Sequence, residues 1–228
     1  MNNKEQIIEK QSLLSVRPQN YIQLQQGNSS ARCCLQTQDS RIICSIIGPY
    51  HGIKVLQQDC EIKCIINFLN KNDSNMHEET EQDIILKRDL VNMLSEIVNI
   101  KQYPKSILQL TFDIIQVNGP VFPYLVNVAC FTLSLAGIQI LDIFSSAYMG
   151  FIGNNLIIDP SDKEFGLMNK KLCIVQMKNS QKIIYLDMNG SLDFEEIQKL
   201  LSLGISGCNK ISTLMSTLLI EQNAVLSN

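Results

Sequence analysis

Four places in the sequence carry residue types that could do chemistry. Asp159, Asp162 and Glu164 fall within one short run, Ile158-Asp159-Pro160-Ser161-Asp162-Lys163-Glu164, and carboxylates so closely spaced can move protons or hold a divalent ion. Lys87 and Arg88 form a small basic step that could meet a phosphate backbone. Cys44 and His51 invite a nucleophile and base reading. Cys60 and Cys64, with the two histidines His51 and His77, are the residues from which a metal site would have to be drawn.

Each of these has a plainer reading. Asp159 precedes Pro160, where an aspartate commonly shapes a turn. Two exposed charges on a helix are most often simply solvated. Cys44 lies in an apolar strand, and no third group is in view to orient His51. Cys60 and Cys64 share one side of an alternating strand with Ile62, Ile66 and Phe68, where small thiols pack well. No second ligand pair at finger-like spacing exists, so neither a metal nor another cofactor is expected.

The elements that must position these residues follow from periodicity and turn chemistry. Tyr21 to Gln26 and Ala31 to Thr37 read as a hairpin around Gly27-Asn28-Ser29-Ser30. Arg41 to Ile47 ends at Gly48-Pro49, and Cys60 to Leu69 is the fourth strand. Asn70 to Gln82 is too polar for a core and reads as an exposed loop. Thr80 with Asp83 is a helix-start signal, and from Ile84 the residues Leu86, Leu90, Met93, Leu94, Ile97 and Val98 form one stripe closed by Pro104. Leu108 to Val117 is a strand, Asn118-Gly119-Pro120 a turn, and Leu125 to Leu135 a buried helix. Strands are expected at Phe144 to Ile152, Leu156 to Ile158, Leu172 to Met177 and Lys182 to Met188. Asp193 with Glu196 opens a long final helix reaching about Glu221, in which Gly204 and Gly207 cost ~1 kcal/mol each relative to alanine. Close backbone packing would explain them. Strands, helix, strand, helix, strands, helix make an α+β pattern.

The 228 residues, 45% hydrophobic and 18% charged, are enough for one ordered globular domain over 21–228 behind a loose extension over 1–20. A balance of 19 basic against 22 acidic residues, formal charge -3, gives no overall attraction to a polyanion. Eight cysteines without a signal-peptide stretch at the amino end imply reduced thiols and residence inside the cell. The longest nearly apolar run, Tyr124 to Ile138, is shorter than the ~20 residues a bilayer requires, so no membrane contact is expected.

Several strings, in order, resemble the RNase PH family from about Tyr21 to the last helix. Gly27-Asn28-Ser29-Ser30 followed by Arg41-Ile42-Ile43-Cys44-Ser45-Ile46-Ile47-Gly48-Pro49 looks like the family's opening hairpin and next strand. Phe112-Asp113-Ile114-Ile115-Gln116-Val117-Asn118-Gly119 is similar to its central strand. Val126-Asn127-Val128-Ala129-Cys130 through Ala136-Gly137-Ile138 resembles the helix behind it, and Leu156-Ile157-Ile158-Asp159-Pro160 the strand leading to the active-site aspartates. Within the family the likeness is greatest to a short non-catalytic ring subunit of the eukaryotic RNA exosome. It implies a fold of mixed sheets packed with helices, and a head-to-tail ring of six related RNase PH-like chains topped by RNA-binding cap subunits. RNA would then meet this chain indirectly, through the channel of the complex, with Lys87 and Arg88 as its candidate RNA contacts. Residence in the nucleus, nucleolus included, and in the cytoplasm follows from the same likeness.

A phosphorolytic exonuclease needs cationic clamps and hydroxyl donors around phosphate, and acidic groups for proton transfer or a metal. The resemblance lets each be sought. The basic pair that active relatives carry near the start of the helix after the polar loop corresponds to Glu81 and Gln82. Their Gly-Gly-Thr-Arg string corresponds to Gly119-Pro120-Val121-Phe122. Their second aspartate corresponds to Phe165, Asp159 being the first. The expectation is therefore no catalytic residue and a scaffold role in RNA degradation and processing, including that of ribosomal RNA. The alternative is a phosphate-dependent 3′-to-5′ exoribonuclease or related nuclease acting alone or as a homodimer, in which Asp162 or Glu164 compensates and arginines converge on Asp159.

Overall fold

The structure, a computed structural model, describes residues 15–25, 27–51, 59–69 and 80–226. Most of the extension expected over 1–20 and His77 lie outside the described residues. Within that extension, Arg17 and Gln19 are buried, so its last residues belong to the folded body.

Strands β1 (Asn20–Gln23), β2 (Ala31–Gln36) and β3 (Arg41–His51) form an antiparallel meander. Strand β4 (Glu61–Phe68) lies at the far edge, parallel to β5 (Ser106–Gln116), and α1 (Glu81–Ile97) is the crossover between them. The sheet order is β1-β2-β3-β5-β4. After α2 (Val121–Leu135), a second, antiparallel sheet runs β7-β6-β8-β9, from β6 (Phe144–Ile152), β7 (Asn155–Ile158), β8 (Lys170–Met177) and β9 (Ile183–Asn189). A short α3 (Asp162–Leu167) joins β7 to β8, and α4 (Phe194–Leu226) follows β9. This is the expected α+β arrangement of mixed sheets packed with helices.

Period-two alternation decides which face of the first sheet is core. Cys33, Leu35, Ile42, Cys44, Ile46, Leu110 and Phe112 share the buried face, and α2 lies on it. Helix α2 is apolar nearly all round, as a helix between two sheets must be, and the run from Pro123 to Leu133 is wholly buried. Its buried Asn127 accepts from the Ser146 N–H at 2.7 Å and donates to the Ser146 carbonyl at 3.1 Å, tying α2 to β6. Asn127→Leu orphans both backbone groups and is expected to cost ~2–3 kcal/mol, read as a lower urea midpoint at unchanged slope.

Helix α4 covers the opposite face of the second sheet. The two glycines have the expected packing reason: a Cβ at Gly204 would stand 2.5 Å from Met149 Sδ, and one at Gly207 would strike the Ile158 side chain. Glu196 accepts the Asp193 N–H at 2.9 Å and both its oxygens meet Lys170 Nζ at 2.7 Å. Lys170 and then that N–H hold Glu196 below the usual carboxylate range. The contribution is present above the ordinary glutamate value and is lost as pH falls through the lowered one. All eight cysteines are free and buried, and burial pushes the thiols of Cys33, Cys64, Cys130 and Cys208 up to about 12.

Several boundaries, and one element, differ from the sequence expectation. Strand β3 continues through Pro49 to His51, because a register shift between Ile47 and Tyr50 accommodates the proline that cannot donate to the ladder. Helix α1 begins at Glu81, directly after the expected Thr80 cap with the Asp83 box, but ends at Ile97 well before Pro104. Helix α2 starts at Val121, four positions before the expected Leu125, and Pro123 sits in its first turn, where its missing N–H costs nothing. Helix α3 was not foreseen, although Ser161 and Glu164 form a complete capping box.

Candidate functional site

Strand β7 ends in a turn at Asp159, whose φ of 54° is one an aspartate tolerates. That carboxylate is enclosed by donors. Its Oδ2 accepts from the Arg17 backbone N–H at 2.9 Å and Nε at 3.2 Å, and its Oδ1 from Arg17 Nη2 at 3.0 Å and the Tyr124 hydroxyl at 3.1 Å. Arg17 Nη2 also donates to the carbonyls of Asn118 at 2.9 Å and Pro160 at 3.2 Å. The two side chains are 7% and 12% exposed, so this is a buried pair. Burial works against the Arg17 charge, yet the Asp159 charge and hydrogen bond outweigh it and leave the guanidinium above its ordinary value. Burial first, and Asp159 next, push the Tyr124 phenol far up, so it serves as a donor. Asp159 does occupy a turn, and it also fastens the amino-terminal segment to α2. One arginine converges on it, and the pair is closed.

The other two acids of the run have local partners. Glu164 caps α3 through Ser161, accepting from its N–H at 2.8 Å and hydroxyl at 2.9 Å. Asp162 clasps the turn before α2: its Oδ1 accepts the Gly119 N–H at 2.8 Å, and its own N–H donates to Asn118 Oδ1 at 2.8 Å. Gly119 has a φ of 119°, and a Cβ there would collide with the Pro160 carbonyl. Gly119→Ala should therefore lower stability by ~3 kcal/mol, combining backbone strain with the clash; a urea midpoint shift under a third of that would show the two turns to be pliant.

Between α1, the start of α2, α3 and the inner face of β6, β8 and β9 lies a cavity of about 540 Å³. Gln82, Val121, Phe122 and Phe165 all line it. Positions far apart in sequence are thus gathered in one place, as a phosphate site requires. Their chemistry runs the other way. Asp83, Asp89, Asp162 and Asp187 also line the cavity, and no lysine, arginine or histidine does among the described residues. Neither Asp159 nor Arg17 is part of its lining. The described residues hold no group of three or more His, Cys, Asp or Glu that could bind a metal ion. Glu81, expected to mark the lost clamp beside Gln82, is exposed at the head of α1 and does not line the cavity.

Aromatic rings furnish the rest of the lining. Phe122 packs on Tyr185 with centroids 4.7 Å apart, and Tyr148 meets Phe165 edge-on at 5.3 Å. The Tyr185 hydroxyl donates to Asp89 at 3.2 Å. Tyr148, Tyr185 and Asp187 were not singled out by sequence reasoning, because each lies in a strand whose alternation predicts a face and not what faces it.

The remaining candidates are scattered. Lys87 and Arg88 are on α1, and Arg88 is paired with the neighbouring Asp89 at 2.9 Å. Cys44 is buried on β3, its thiol held far above its usual range chiefly by burial, and His51 is exposed at the end of the same strand. Seven residues of extended chain separate them by roughly 23 Å, too far for proton transfer. Cys60 and Cys64 are buried on the inner side of the first sheet together with Ile62, as the alternation predicted. No helix among the described residues is long and apolar enough to cross a membrane.

The 3′ exoribonuclease family models match in sequence order, domain 1 over residues 20–139 and domain 2 over 142–207. The division falls between α2 and β6, although the buried core is continuous across it, with Phe144, Val175, Ile211 and Met215 in one cluster with α2. The exosome complex component Rrp41 of Nitrosopumilus maritimus is 22% identical over 193 residues, covering 81% of this chain and 78% of that protein. The crystal structure of rice (Oryza sativa) Rrp46 superimposes with a TM-score of 0.82 at 16% identity, over 92% of this chain and 98% of the other. An Archaeoglobus fulgidus exosome with RNA bound to the active site gives a TM-score of 0.72 at 16% identity over 90% of both chains.

Proposed function

Because the chain belongs to the 3′ exoribonuclease, RNase PH-like family, with both of its domains in order, we infer that it is a catalytically silent ring subunit of an RNA exosome. It supports 3′-to-5′ RNA degradation and processing by assembling with related RNase PH-like chains and cap subunits. The similarity to exosome components over most of their length supports the assembly. One observation supports the silence above the others: the cavity where Gln82, Val121, Phe122 and Phe165 meet is lined by four aspartates and no basic side chain among the described residues. An anionic phosphate entering it would meet repulsion instead of a clamp. The one carboxylate matching an active-site aspartate is meanwhile spent on Arg17.

Reconstitution tests the assembly. Mixed with candidate neighbouring chains from its own source, this chain should sediment as part of a six-chain ring whose interfaces bury well over ~1,200 Å². A chain that stays apart from all of them, or forms only a homodimer, would contradict the ring. Lys87 and Arg88 remain the proposed RNA contacts, since an exposed pair such as Arg88 with Asp89 is worth ~1 kcal/mol or less and yields readily to a phosphate. Changing both to alanine should lower RNA crosslinking to this subunit in the assembled complex severalfold; an unchanged yield removes them from the RNA path. Residence in both nucleus and cytoplasm belongs to the same proposal.

A further inference from the structure

The cavity that has lost the means to hold phosphate has gained those of a different site. A cation is stabilised by carboxylates and by the faces of aromatic rings, and a flat guanidinium suits both, stacking on rings while its N–H fork meets oxygen. Both kinds of group are present together. Phe122 and Tyr185 form one aromatic wall, Tyr148 and Phe165 another. Phe165 already carries a cation on one face, with Lys171 Nζ 3.7 Å from its centroid. Lys171 itself does not line the cavity, so its lining includes no basic group among the described residues.

The carboxylates differ in what they have left to give. Asp89 is engaged by Arg88 and by the Tyr185 hydroxyl. Asp162 uses Oδ1 for Gly119, which leaves its second oxygen. Asp187 is exposed on β9, directly across from Cys173 in the ladder, and its carboxylate makes no hydrogen bond or ion pair to another described residue. After burial, Asp187 is among the causes that push Tyr148, Tyr185 and Cys173 up, in keeping with a negative potential over this part of the cavity. A volume of about 540 Å³ admits a long side chain together with the backbone that carries it.

We propose that this cavity receives an arginine side chain from an extended segment of a partner protein, stacked against Phe122 and Tyr185 and bonded to Asp187 and Asp162. The proposal rests on the silent-site reading, since a working phosphate site would exclude a cation-binding one. It goes beyond that reading in assigning the vacated site a ligand of opposite charge.

The six tyrosines make the test direct. With tyrosine rings isotopically labelled in the full chain, acetyl-glycyl-arginyl-glycine amide should shift the Tyr148 and Tyr185 resonances saturably and leave Tyr21 unmoved. The citrulline peptide, equal in shape but uncharged, should bind at least about fivefold more weakly, and Asp187→Asn should weaken arginine binding by a similar factor. Asp187 is exposed, so that variant keeps the fold, and the other tyrosine resonances report as much. No shift with the arginine peptide, or equal binding of the citrulline peptide, overturns the arginine site and leaves the silent reading standing. Inorganic phosphate shifting the same two tyrosines would overturn the silent reading and the arginine site with it.

Discussion

Purified chain incubated with single-stranded RNA, magnesium and inorganic phosphate is expected to release no nucleoside diphosphates. The reaction needs phosphate held beside the terminal phosphodiester, and the positions that by the family resemblance would hold it carry Gln82, Val121 and Phe122, of which the last two cannot bind an anion through their side chains. It needs acidic groups at the same point, and by the family resemblance Phe165 corresponds to the second aspartate. Asp159 faces Arg17 outside the cavity. Losing one important electrostatic stabiliser typically costs ~10²–10³ in rate, so three such losses amount to ~10⁶ or more and leave nothing measurable. Asp159→Ala should accordingly make no difference to the assay. The contrary result is concrete: phosphate-dependent shortening of the RNA that disappears with Asp159→Ala would promote the enzyme and end the scaffold reading.

The order of elements could be read from the sequence because each buried face repeats with its own period. Leu90, Met93, Leu94 and Ile97 mark α1, and the alternation of Cys60, Ile62 and Cys64 marks β4, as found. Boundaries are less legible near proline. Pro49 lies within a strand at a register shift and Pro123 within the first turn of a helix, and both tolerances depend on which backbone N–H would otherwise lack a partner. The resemblance implies missing phosphate clamps at Glu81, Gln82, Val121 and Phe122 and a missing second aspartate at Phe165, and the fold gathers all of these but Glu81 in one cavity. The acidic character of that cavity could not be read, because Asp83, Asp89, Asp162 and Asp187 come from α1, α3 and β9, and only the packing of those elements sets them facing one another. Arg17 was hidden for a related reason: its partner lies 142 residues away, and nothing in the sequence around Arg17 announces an ion pair.

Stability separates a structural Asp159 from a catalytic one. Asp159→Ala removes an acceptor that takes two side-chain bonds and one backbone bond from Arg17 and one more from Tyr124, and leaves a guanidinium 7% exposed with no counter-charge. Breaking a buried pair from one side costs ~3–5 kcal/mol; the lower figure suits this one, since Arg17 keeps its bonds to the carbonyls of Asn118 and Pro160. The expected result is a fall of ~3 kcal/mol in unfolding free energy, measured by urea denaturation. The double variant Arg17→Leu with Asp159→Asn should recover much of it, because removing both charges leaves neither stranded in the interior and asparagine keeps an acceptor oxygen and tolerates the positive φ. A carboxylate kept for catalysis behaves in the opposite way, its loss abolishing turnover with little effect on folding. If Asp159→Ala shifts stability by less than ~0.5 kcal/mol, the Arg17 pair is not what holds Asp159 in this chain, and a catalytic duty for that aspartate returns to consideration.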